Sequence, residues 1–189
     1  MHGRRFFSIT AIVALLVTLF VVSAGADTPR SSPSPGVTNV ELSSIGPFHI
    51  QFAHSGKCVD VPAFSTADIA LKQYSCRPQS NQLFYFDYLY TNAIGHAYYR
   101  VRNANSNKCL NVQSASLLNG ASIIQYKCAA YPNSYFTVWR DANVTAGWYW
   151  LEVEHSDKTV AVGGASQADG APLIQWPRCY CSQEYVRLY

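Results

Sequence analysis

Charge is scarce in this chain: Asp, Glu, Lys and Arg make up 13% of its 189 residues. After Arg4-Arg5 the basic residues stand singly along the sequence. Nucleic-acid-binding domains gather Lys and Arg on one face, so no nucleic acid is expected as a partner. Past the N-terminal apolar run no window carries an apolar stripe at helical spacing, which argues against a helical fold. There is no Gly-x-Ser-x-Gly elbow, and the few acids are dispersed rather than paired, so the chain is not read as an enzyme. The five histidines, His2, His49, His54, His96 and His155, stand at no spacing with a cysteine that suits a zinc site. Neither a metal nor a cofactor is expected. What the chain does have is apolar and aromatic material: 49% hydrophobic residues, with 13 Tyr against 4 Trp. That is enough to build the core of one domain.

The first 26 residues have the organisation of a secretory signal. His2, Arg4 and Arg5 precede the apolar run Phe6 to Val22, and Ala24-Gly25-Ala26 offers the small residues that signal peptidase accepts. An uncleaved anchor is the competing reading, because a run of about 17 apolar residues can just cross a bilayer. The well-formed exit favours cleavage after Ala26, hence secretion and no membrane association afterwards. The 14 basic and 11 acidic residues give a formal charge of +3, and losing Arg4 and Arg5 leaves +1. Residues 27–46, with Pro29, Pro33, Pro35 and several Ser, read as a flexible leader. Folded structure is expected over 47–189.

That segment is three copies of one pattern. Phe48 to Val61 aligns with Tyr99 to Val112 at an offset of 51 without a gap, and with Tyr149 to Val162 at a further 50. Ser-x-Lys recurs at the same place in each copy. The second halves align too, as Leu71-Lys72-Gln73-Tyr74, Ile123-Ile124-Gln125-Tyr126 and Leu173-Ile174-Gln175-Trp176. Short alternating runs bounded by Gly, Asn, Asp and Ser are strands. One repeat cannot bury its apolar face alone, whereas three can close about a pseudo-threefold axis and share a core. The expected fold is all-β, a β-trefoil with repeats of about 47–96, 97–146 and 147–189.

Within the repeats, Asn81-Gln82-Leu83-Phe84 resembles the Asn-Gln-x-Trp ending of ricin B-type lectin repeats. Asn133-Ser134-Tyr135-Phe136 and Ser182-Gln183-Glu184-Tyr185 are taken as its degenerate counterparts. Cys58-Val59-Asp60-Val61 and Cys109-Leu110-Asn111-Val112 are similar to the same family's Cys-x-Asp-Val segment. The resemblance covers essentially the whole segment from Pro47 to Tyr189. With export making the compartment oxidising, the equivalent positions in copies one and two imply the disulfides Cys58–Cys76 and Cys109–Cys128. Copy three has Thr159 and Arg178 at those positions. For Cys179 and Cys181, a bridge between them, free thiols and intermolecular pairing all stay open.

The resemblance implies a carbohydrate-binding function for galactose-type or xylan-type glycans. A sugar offers hydroxyls on one side and a C–H face on the other, so its site needs a polar acceptor opposite an aromatic platform. Carried over, copy one has Asp60 as hydroxyl acceptor, Tyr74 as platform, Asn81 as a second hydroxyl partner and Gln82 bracing Asp60. Lys72 stands where the family often has Gln. Copy two has Asn111, Tyr126 and Asn133, with an amide in place of the carboxylate. Copy three has Ala161, Trp176 and Ser182, a platform without an acceptor. The same aromatics could simply cover core strands, and Asp60 could cap a turn. The function expected is a secreted lectin-like module whose first repeat binds best; the alternative is a toxin-accessory or protein-interaction subunit with degenerate sugar sites.

Overall fold

Each repeat turns back on itself at a residue that tolerates a left-handed backbone. Gly56 (φ 66°), Asn107 (φ 55°) and Asp157 (φ 52°) occupy the same place in the first hairpin of copies one, two and three. Gly, Asn and Asp are the residues for which that conformation is cheapest. The computed structural model describes residues 43–189; the expected signal (1–26) and all but the end of the leader (27–46) lie outside them.

Copy one contains β1 (Ser44–Phe48), β2 (Ile50–Phe52), β3 (Cys58–Asp60), β4 (Lys72–Tyr74) and β5 (Phe84–Thr91). Copy two follows with β6 (Ala97–Asn103), β7 (Cys109–Val112), β8 (Ile123–Tyr126) and β9 (Phe136–Trp139). Copy three has β10 (Tyr149–Val153), β11 (Lys158–Val162), β12 (Leu173–Trp176) and β13 (Tyr185–Leu188). Strand β1 begins at Ser44, ahead of the boundary expected at Pro47, because Ser44 and Ile45 pair with Asp87 and Phe86. The Ser44 hydroxyl also donates to Asp87 at 2.7 Å.

Pairing runs β1-β5-β6-β9-β10-β13-β2. Only His49 separates β1 from β2, so the path closes into a barrel. The register is the same in every copy: Phe48 faces Phe84, Tyr99 faces Phe136, and Tyr149 faces Val186. The hairpins β3–β4, β7–β8 and β11–β12 close one end of the barrel. They are joined by single bridges at Ala70 with Ile124, Lys72 with Pro172 and Ser122 with Ile174. This is the expected β-trefoil.

The core is built in triplets of equivalent residues. Ile50, Val101 and Leu151 are fully buried, as are Leu71, Ile123 and Leu173, and Val59, Leu110 and Val160. Among them lies a polar triplet, Gln73, Gln125 and Gln175, each with no exposure. Each glutamine accepts a hydrogen bond from the Ser of its own repeat, Ser55, Ser106 or Ser156, at 2.7–2.9 Å. Its amide then donates to two carbonyls of a neighbouring repeat: Gln73 to Ser166 and Ala168, Gln125 to Ser65 and Ala67, Gln175 to Ser116 and Leu118. Buried amides are tolerated only when satisfied, so this network fixes how the repeats meet as well as holding them. The recurrent Lys adds an ion pair between copies, Lys57 to Asp169 at 2.6 Å and Lys108 to Asp68. Asn119 stands at the third position and no such pair forms.

Both expected disulfides are present, each with Cα atoms 5.0 Å apart. Cys179 and Cys181 are joined to one another.

Candidate functional site

The second hairpin of each repeat and the single 3-10 turn that precedes its last strand enclose a pocket. In copy one that turn is Ser80–Gln82, in copy two Pro132–Ser134, and in copy three Ser182–Glu184. A pair of left-handed residues shapes the opposite rim: Ala63 and Phe64, Ser114 and Ala115, Gly164 and Ala165. Holding non-glycine residues there costs backbone strain, which the threefold recurrence shows to be part of the design.

Pocket one, about 240 Å³, is lined by Asp60, Ala63, Phe64, Tyr74, Arg77, Gln79 and Asn81. Asp60 ends β3 and is 7% exposed. Its Oδ2 accepts hydrogen bonds from Asn81 Nδ2 at 2.9 Å and from Gln82 Nε2 at 2.8 Å, and its Oδ1 has no protein partner. Burial pushes the Asp60 carboxyl above the usual carboxylate range, against the opposing pull of those two amides and of the Arg77 charge. Asn81 uses its second amide hydrogen on the Val61 carbonyl at 3.0 Å, so its remaining polar atom is Oδ1, buried and unpartnered. Gln82 lies behind the pocket, its Oε1 accepting from Arg77 N at 2.7 Å. The Arg77 guanidinium stacks 4.9 Å from the centre of the Tyr74 ring. Lys72 sits opposite Asp60 in the strand register but does not line the pocket.

Pocket two is larger, about 410 Å³, and is lined by Asn111, Gln113, Ser114, Ala115, Ile124, Tyr126, Tyr131 and Asn133. Asn133 Nδ2 donates both to Asn111 Oδ1 and to the Val112 carbonyl, each at 2.9 Å. Ser134, in place of Gln82, turns to the carbonyls of Ala129 and Tyr131 instead and does not reach Asn111. Pocket three, about 260 Å³, is walled by Ala161, Val162, Gly164, Ala165, Ile174, Trp176 and Gln183. Gln183 is its one amide.

The turn in copy three corrects the alignment read from sequence. Gln183, not Ser182, is the counterpart of Asn81, and Glu184 that of Gln82. The shift arises because Val186 fills the barrel position of Phe84 and Phe136, leaving Tyr185 outside it. Sequence reasoning also missed Arg77, Phe64 and Gln79 in pocket one and Tyr131 in pocket two. Arg77 directly follows the second Cys of its repeat, and that adjacency was the available signal.

The profile of the family described as ricin-type beta-trefoil lectin domain-like matches residues 39–126 and 80–176. The chain belongs to that family. Among solved structures it is similar to the designed 3-fold symmetric protein ThreeFoil, at 31% identity and TM-score 0.67 over 76% of this chain and 98% of that one. It is also similar to the exo-β-1,3-galactanase 1,3Gal43A of Clostridium thermocellum, at 23% identity and TM-score 0.66, covering 75% of this chain but 29% of the galactanase. The Macrolepiota procera ricin B-like lectin in complex with lactose matches at 13% identity and TM-score 0.61, over 78% of this chain and 95% of the lectin. A search of curated proteins finds no match. This lectin-type domain thus has its fold in common both with free-standing lectins and with one part of a larger enzyme.

Proposed function

We propose that this chain is an exported carbohydrate-binding module that holds glycans in its shallow repeat pockets, and that pocket one is its main site for sugar hydroxyls. The observation that carries this reading is the Asp60 carboxylate. Two amides hold one of its oxygens and the other is left without a protein partner, beside Tyr74. A charged acceptor strengthens a hydroxyl hydrogen bond relative to a neutral one, and fixing it in advance removes the entropic cost of ordering it on binding. In this reading Asp60 accepts from the sugar, Tyr74 packs on its C–H face, and Asn81 and Gln82 position Asp60. Arg77 adds a donor at the pocket wall. Galactose-type and xylan-type glycans are the ligands favoured by the family. Three disulfides among the described residues agree with an oxidising, extracellular setting.

A glycan array probed with the intact protein tests this directly. Binding to galactose-type or xylan-type glycans that weakens in the Asp60→Asn variant supports it; a blank array refutes it. A second reading, a protein-interaction subunit, draws on the apolar surface where copies two and three meet. Leu117, Leu118 and Trp176 are 61%, 74% and 42% exposed. A Cβ built on Gly120, in the same loop as the leucines, would lie 3.9 Å from the Trp176 ring.

A further inference from the structure

At each seam between repeats the last strand of one copy sets a side chain directly beside one from the first strand of the next. The facing pairs are Asp87 with Arg100, Trp139 with Trp150, and Tyr189 with His49. At the first seam the pair is of opposite charge, and Arg102 adds two hydrogen bonds to Asp87 at 2.7 and 3.0 Å. At the second the two indoles lie 4.9 Å apart, and the Arg178 guanidinium stands over both, 4.7 and 5.2 Å from their centres, while holding Glu152 at 3.2 Å. At the third seam the rings of His49 and Tyr189 lie 5.2 Å apart. Cys76, committed to its disulfide, holds the position of Arg178 there. In place of that guanidinium a cavity of about 240 Å³ opens, lined by His49, Cys76, Arg77, Pro78 and Tyr189.

Charge decides what suits this cavity. Arg102 and Arg178 find carboxylates at their own seams, whereas Arg77 and Arg187 pair with no acid among the described residues. Arg187 Nε donates to Gln51 at 2.6 Å, and its guanidinium lies 5.4 Å from the centre of the Tyr189 ring. The Arg77 guanidinium stacks on Tyr74 and has no hydrogen-bond partner among the described residues; Asp60 senses its charge without forming an ion pair. No acidic side chain lines the cavity. Burial holds the His49 imidazole below its usual value, so it faces the cavity as a neutral ring, and its Nδ1 is buried without a partner. The cavity adjoins pocket one, because Arg77 lines both. A ligand here gains by bringing its own carboxylate, which the planar guanidinium takes in two parallel hydrogen bonds, and a C–H face for the Tyr189 ring. We propose that the third-seam cavity is a subsite for a uronic acid, its carboxylate on Arg77 and its ring against Tyr189, so that pocket one and this cavity together hold a neutral sugar linked to an acidic one. This rests on the lectin reading above and extends that site to acidic glycans.

The test is an NMR titration of the intact protein that follows the ring signals of Tyr189 and Tyr74, one in each half of the site. The probes are galacturonic acid, glucuronic acid, the methyl esters of both, galactose, xylose and acetate. At least one uronic acid should shift Tyr189 and bind about tenfold or more tighter than its own ester, since esterification removes the charge and keeps the ring. Arg77→Gln, at an exposed side chain, should bring the acid down to the affinity of the ester. Tyr189→Ala should weaken the acid about tenfold, and Tyr189→Phe, which keeps the ring, should restore it. Equal affinity for acid and ester, a preference for the acid that survives Arg77→Gln, or shifts of Tyr189 as large with acetate alone would overturn the proposal. Asp60→Asn separates the two readings. If it changes nothing while Arg77→Gln and Tyr189→Ala abolish uronate binding, the reading of pocket one fails and that of the cavity stands. If galactose or xylose binds through Asp60 but no uronic acid outdoes its ester, pocket one stands and the cavity fails. If no sugar shifts either ring, both fall.

Discussion

Glu184 holds the hydroxyl of Thr159 at 2.7 Å in the interior of the third repeat. The pair replaces Cys58 and Gln82 of the first repeat. Thr159 takes the first Cys position, and Glu184 takes over the bond that Gln82 accepts from Arg77 N, here from Cys179 N at 2.8 Å. Glu184 also receives the Trp150 indole N–H at 3.3 Å. The third repeat thus substitutes a buried carboxylate network for the disulfide between strands.

Glu184→Ala leaves the Trp150 indole and the Cys179 and Cys181 amides without their acceptor, and leaves the Thr159 hydroxyl only the Trp176 carbonyl at 3.1 Å. The expected loss is about 3 kcal/mol or more, read from the urea midpoint at constant m-value. Glu184→Gln, which restores the residue type of copy one, should cost clearly less. Equal losses for the two variants would mean that the charge, rather than the hydrogen-bond geometry, is what matters.

Gln125→Ala breaks one bond from Ser106 and two to carbonyls of the first repeat, and it opens a small cavity. A destabilisation of about 2–4 kcal/mol is expected. Because Ser106 and Gln125 are bonded at 2.7 Å, Ser106→Ala and Gln125→Ala should be less than additive. Strict additivity in a double-mutant cycle would show that the contact carries no energy.

Asp60 predicts pH effects of opposite sign on stability and on binding. Its carboxyl is raised by burial in the folded chain, so the native state holds the proton more tightly than the unfolded one. From this group alone, stability rises as pH falls through the interval between the two values. Binding through the ionised carboxylate is lost over the same descent, starting at a higher pH than for an ordinary Asp. For Asp87, burial is outweighed by the hydrogen bonds from Arg102 and Ser44 and the nearby Arg charges, so its contribution has the reverse sign and the total curve mixes the two. The difference between wild type and Asp60→Asn isolates Asp60. A wild-type affinity that is flat through the acid range would remove the carboxylate from the binding step.

The repeats were legible in sequence because the features that set them are local. Ser-x-Lys marks the hairpin, and Gln73, Gln125 and Gln175 fall in register without a gap. What those glutamines do was not legible, since their partners lie in another repeat. The third copy misled by one residue because its motif had lost both its Cys and its terminal aromatic in the barrel, and Tyr185 looked like a better match than Val186. Phe64 escaped notice because it reaches its pocket from a loop whose path depends on the left-handed Ala63, and alanine gives no sequence signal for that conformation; Arg77 and Tyr131 reach theirs from the loops that follow β4 and β8, whose course the strand pattern does not give. Asp60 and its two amides were found because family spacing carries them together.

The central claim is that Asp60 accepts a sugar hydroxyl, and calorimetric titration of wild type and Asp60→Asn with a glycan found on the array, alongside a melting curve for each, tests it most directly. A hydrogen bond to a charged group contributes about 1.5–3 kcal/mol against about 1 for a neutral one, so the variant should bind roughly three- to thirtyfold more weakly. Its melting temperature should change little, because Asn keeps the size of the side chain and an oxygen for Asn81 and Gln82. Unchanged affinity together with a fall of many degrees in melting temperature would contradict the account and make Asp60 a structural residue.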